Sequence, residues 1–155
     1  MRIASLALTA FVAWPAQAAE TVFECSFGAT RAMVTLEGER LTYSYGRPGR
    51  RPELELSGDR SSGTLSYHRQ MYIRGEDQTL RFASGDHSYV VYARWNAPNQ
   101  HLTHTEPEHI GGGVLVIRRG EIVRDLRCRS GGDMREWPVF FTLPEDPANL
   151  TPDDA

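Results

Sequence analysis

From Thr21 onward, apolar residues recur at every second position rather than every third or fourth, and this period constrains the fold more than any other feature. Thr30 to Leu36 and Arg40 to Tyr45 flank Glu37-Gly38-Glu39, which predicts a tight hairpin. In its second arm Leu41, Tyr43 and Tyr45 alternate with Thr42 and Ser44, the pattern of a half-buried strand. Gly46-Arg47-Pro48-Gly49 breaks the chain, and Leu54 and Leu56 then alternate with Glu53 and Glu55. Gly58 to Gly63 reads as a polar turn. Leu65 and Tyr67, then Met71 to Ile73, predict two strand pieces, with Gly75-Glu76-Asp77-Gln78 as the next turn. Thr79 to Ala83 and Ser88 to Trp95, rich in β-branched and aromatic residues, form a hairpin around Ser84-Gly85-Asp86-His87. A last hairpin pairs Val114–Ile117 with Ile122–Cys128 around Arg119-Gly120-Glu121. No long segment carries a helical apolar stripe. The predicted fold class is all-β, a small antiparallel meander closed as a barrel or a sandwich.

The ends of the chain depart from this rhythm. Met1-Arg2, an apolar stretch from Ile3 to Trp14, Pro15 and Ala16-Gln17-Ala18 follow the three-part order of an export signal, with cleavage after Ala18. The stretch is shorter than the ~20 apolar residues that cross a bilayer. Residues 19–143 then form a single β domain, and 144–155 form an acidic, Pro-rich, flexible tail. An exported chain with two cysteines, Cys25 and Cys128, predicts one structural disulfide that closes a loop of roughly 100 residues and contributes about 4.7 kcal/mol in the chain-entropy account. The short C-x-x-C spacing of a redox pair is absent.

Composition narrows the chemistry. All 17 basic residues are Arg, so Schiff-base lysines, a Walker lysine and a Ser–Lys dyad are excluded together. The net charge of −3 argues against a basic nucleic-acid surface. There is no G-x-S-x-G elbow, and Ser130-Gly131-Gly132-Asp133 carries the residue types of a serine-protease run in the wrong order. Glu53 and Glu55 alternate as the solvent face of a strand rather than as a catalytic pair.

Two constellations remain. Asn96 to Gly113 reads as a long polar loop in which His101, His104 and His109, with Glu106 and Glu108, offer ligands for zinc or copper. The alternative is a solvated histidine-bearing loop. His68 and His87 read as surface or turn residues. Tyr43, Tyr45, Tyr67, Tyr72, Tyr89, Tyr92 and Trp95 fall on predicted strands, where they either fill the core or stack on a partner. Arg47, Arg50, Arg51 and Arg74 flank turns, as donors to an acidic partner or as solubilising charges.

Ser61-Ser62-Gly63-Thr64-Leu65-Ser66-Tyr67, followed by Tyr72-Ile73-Arg74-Gly75 and Thr79-Leu80, resembles the periplasmic and membrane-bound inhibitors of C-type lysozyme. Those are small exported antiparallel barrels with a cysteine near each end. The resemblance implies that a loop serine and a basic residue enter the lysozyme cleft and meet its carboxylates. At matching positions these are Ser62 and Arg74, with Arg standing where the family has Lys. The expected function is that of an exported, non-catalytic binding protein whose partner lies in the cell envelope. The competing expectation is a periplasmic metal-binding protein.

Overall fold

A computed structural model describes residues 18–96, 108–134 and 136–148. Among these residues ten strands form two five-stranded antiparallel sheets. The first sheet contains β1 (Glu20–Ser26), β2 (Arg31–Glu37), β3 (Arg40–Gly46), β4 (Leu54–Gly58) and β10 (Ser130–Met134), in the order β10-β1-β2-β3-β4. The second runs in chain order through β5 (Leu65–Tyr72), β6 (Gly75–Ser84), β7 (His87–Asn96), β8 (Glu108–Arg118) and β9 (Glu121–Arg127). A single 3-10 turn, Phe140–Thr142, is the only helical element among the described residues.

Alternation places one face of every central strand in a shared core. Val34, Leu41 and Tyr43 of the first sheet meet Leu80, Phe82, Val91 and Val114 of the second. The Tyr43 ring lies 5.6 Å from that of Phe82 and 5.8 Å from that of Tyr89. A register shift between Thr21 and Phe23 turns both Val22 and Phe23 inward, which strict alternation forbids. The outer face of the second sheet carries its own small cluster, Val90, Tyr92, Leu115 and Ile117, flanked by Arg81 and Arg94.

The predicted hairpins are present, with tight turns at Gly38–Glu39, Gly85–Asp86 and Arg119–Gly120. At the last of these both residues have positive φ, 52° and 86°, the backbone that matches strand twist in a two-residue turn. Four expectations need correction. Leu65 to Tyr72 is one strand, and the turn after it is Ile73–Arg74, not Gly75 to Gln78. Polar residues at 75–78 look like a turn in sequence, but in space they pair with β7 from Gly75↔Asn96 to Gln78↔Ala93. Glu108 to Gly113 belongs to β8 rather than to a loop that would begin at Asn96. Ser130 to Met134, which carries no strand-like pattern, pairs with β1.

The fourth correction concerns the tail. Pro144 to Ala148 lies on the body: Tyr67 N–H donates to Pro144 O at 2.9 Å, and Asp146 N–H donates to Tyr67 O at 3.1 Å. Asp146 is buried against Arg81 at 2.6 Å, and Phe140 just before is fully buried, its ring 5.2 Å from that of Tyr67. Residues 137–148 therefore form a strap over one edge of the second sheet.

Cys25 and Cys128 form the predicted disulfide. It joins β1 to the point where the chain leaves β9. Next to it, Gly112 and Gly132 let β8 and β10 approach backbone to backbone, since a Cβ on Gly112 would collide with the Gly132 carbonyl. That crossing requires Gly112, while a Cβ on the next glycine, Gly113, would meet Leu126 O and Tyr92 Oη instead.

Candidate binding surface

The β5–β6 hairpin projects beyond the core. Its turn presents Ile73, 99% exposed, beside Met71 at 67% and Tyr72 at 50%, with the exposed Arg74 completing the tip. Isolated exposed apolar residues are ordinary, but three consecutive ones on a projecting turn are not. The tip is held from both faces of the sheet. On the outer face the buried Asp77 accepts from Tyr72 Oη at 3.2 Å and from Arg94 Nε at 3.1 Å, directly across the ladder. On the inner face Arg69 donates to Glu76 through Nε at 2.9 Å and also pairs with Glu136. Gln78 Nε2 donates to the other Glu76 oxygen at 2.8 Å.

Both oxygens of Glu76 are thereby engaged, and the hydrogen bond to Glu76 holds the Arg69 guanidinium above its ordinary pKa. The carboxylate acts here as a structural anion. Nearby, Tyr67 Oη, Gln78 Oε1 and Trp95 Nε1 are buried with no hydrogen-bond partner among the described residues. Burial raises the Tyr67 phenol to about 12, with Glu136 and Glu76 adding to the rise and Arg69 opposing it.

The structure places the two residues of the inhibitor motif apart. Ser62 precedes β5 and Arg74 follows it, so an eight-residue strand of about 23 Å separates them. Ser62 is also committed to its turn: its Oγ donates to Asp59 O at 2.7 Å and lies 2.9 Å from Thr64 Oγ1. Hydrogen bonds from Ser61 hold the Asp59 carboxyl below its usual range, which completes a self-contained turn.

Of the histidines, His109 sits on β8 with Nε2 2.9 Å from Gly132 O and its ring edge-on to Trp95 at 5.2 Å. It joins β8 to β10. His101 and His104 lie outside the described residues, and no group of three metal-ligating side chains occurs among the described ones. His68 is not a surface residue: its side chain is 11% exposed, with Nδ1 3.5 Å from Glu145. His87 opens β7 next to the exposed Gly85–Asp86 turn, its Nδ1 2.6 Å from Asp86, which also meets Arg118 and Arg119.

Tyr43, Tyr67 and Tyr92 are core residues, Tyr45, Tyr89 and Trp95 are partly buried, and Tyr72 alone of the tyrosines is exposed. Arg47, Arg50 and Arg51 lie exposed in the β3–β4 loop. One shallow cleft borders β5, and another lies away from the hairpin. The first, of about 210 Å³, lies between β5 and the strap, lined by His68, Arg69 and Phe141, and the second, of about 270 Å³, lies between β1 and β10 beside Trp137.

The sequence offered Arg74 as a donor and Tyr72 as one of several aromatics able to stack on a partner, but gave no sign that Met71 and Ile73 lie exposed beside them. The apolar run from Met71 to Ile73 suggested a strand piece, and only the register showed that it overhangs the core. Comparison with known protein families, with curated proteins and with solved structures finds no match to this chain.

Proposed function

We propose that this is an exported, non-catalytic binding protein that engages a protein of the cell envelope through the β5–β6 tip, and that its partner is a cell-wall hydrolase of the lysozyme kind. The observation that carries this reading is the exposure of Met71, Tyr72, Ile73 and Arg74 together at the anchored end of one hairpin. A projecting apolar knob with a guanidinium beside it complements a concave cleft lined with carboxylates. In this reading Arg74 makes the charged contact and Ser62 shapes its own turn. The two facing sheets act as the layers of a sandwich, residues 1–18 serve as the export signal, and the Cys25–Cys128 disulfide fits an oxidising compartment. No helix among the described residues is long and apolar enough to cross a membrane.

The test is to titrate the purified, oxidised protein against C-type, G-type and I-type lysozymes. Inhibition of at least one is expected. It should weaken about tenfold or more in Arg74→Ala and in Ile73→Asp, as for residues central to an interface. Absence of inhibition against all three, with the disulfide intact, overturns the reading.

A further inference from the structure

We infer that β5 is a pairing edge, and that it pairs antiparallel with β5 of a second copy of this chain about a two-fold axis at Met71. The strap shows which way the edge faces. Both backbone groups of Tyr67 point away from β6, because its N–H is bonded to Pro144 and its carbonyl to Asp146. The β5–β6 ladder runs without a register shift from Leu65↔Phe82 to Tyr72↔Gly75, so outward and inward groups alternate strictly. The N–H and carbonyl of Arg69 and of Met71 therefore point to the same open side as those of Tyr67. Among the described residues, the bond that reaches them there is a 3.4 Å contact from Gln70 Nε2 to Met71 O.

Natural edges are blunted by exposed charge, proline or bulges. This one has none of those protections beyond the strap. Arg69 is neutralised by Glu76 and Glu136, and Met71-Tyr72-Ile73 carries neither a charge nor a proline. A second copy fits because the strand is self-complementary. An axis at Met71 sets Met71 against Met71, Gln70 against Tyr72 and Arg69 against Ile73, with no like charges opposed. Met71 of each copy then covers the other, and Tyr72 and Ile73 of each lie over Gln70 and Arg69 of its partner. The pairing surface is small, so association is expected to be weak and reversible. The inference stands apart from the hydrolase reading, since its test contains no other protein.

Sedimentation equilibrium of the purified protein, from about 1 µM to about 500 µM, should show a monomer–dimer equilibrium, the range proper to small interfaces. Met71→Pro removes an outward N–H without breaking the β6 ladder, and Ile73→Asp places a charge in the contact at a fully exposed turn. Each should raise the dissociation constant about tenfold or more, equivalent to ~1.4 kcal/mol, with an unchanged thermal midpoint. Should Met71→Pro perturb folding, Ile73→Asp decides alone. A protein that stays monomeric throughout, or a dimer as tight in Ile73→Asp as in the parent, overturns the inference.

Discussion

The Tyr67 hydroxyl is buried, has no hydrogen-bond partner among the described residues, and sits within the field of Glu76, Glu136 and Arg69. Its folded pKa of about 12 exceeds the unfolded value near 10. Burial likewise raises Tyr43 and, with the Asp125 hydrogen bond, Tyr92. A raised folded pKa contributes stability that is complete below the unfolded value and is lost as pH climbs through the folded one. Unfolding free energy should accordingly hold up to about pH 10 and fall above it. Tyr67→Phe should show a shallower alkaline fall and equal or greater stability at neutral pH, because an unsatisfied buried hydroxyl has been removed. Urea unfolding across pH measures both, and a variant as alkali-sensitive as its parent contradicts the account. None of this was legible in sequence. Alternation marked Tyr67 as a strand residue, but the carboxylates around it come from β6 and from the segment after β10.

At the scale of elements, the strap decides how the second sheet ends. Phe140 is fully buried and Phe141, its neighbour, is 57% exposed, so one short turn presents one aromatic to the core and the other to solvent. Phe140→Ala should cost about 3–5 kcal/mol, as for large aromatic truncations in a core. Phe141→Ala should stay within about 1 kcal/mol, as an exposed substitution. Equal costs in denaturant titration would show that the strap does not seal the core. The apolar run from Trp137 to Leu143 hinted at packing, yet acidic and proline content suggested that the chain was free from Pro144 onward. Asp146 overrules that composition because it is itself buried and pairs there with Arg81. The turn at Ile73–Arg74 escaped for a related reason. Gly75 to Gln78 is polar because the hairpin's partly buried ion pairs, Asp77–Arg94 and Glu76–Arg69, lie there.

For the whole molecule, two sheets share one core, and the Cys25–Cys128 disulfide and the Gly112–Gly132 crossing tie them together beside it. Replacing Cys25 and Cys128 together by Ala should lower the unfolding free energy by about 2–5 kcal/mol, the range for native disulfides that close long loops. Chemical denaturation of the oxidised parent and the double variant measures this, and equal midpoints would refute the staple's role. Period-two alternation, turn residues such as Gly38 and Gly120, and an even cysteine pair determined from sequence alone an antiparallel all-β domain with one disulfide, because those signals are local or depend on simple counting. Which strands became neighbours was decided only in three dimensions. β10 has no strand pattern of its own and is recruited by the open edge of β1, Ser62 and Arg74 are parted by the length of β5, and Met71 to Ile73 are exposed because their strand outruns the core beneath it. Each of these depends on contacts between residues distant in the chain, and no local window of sequence contains them.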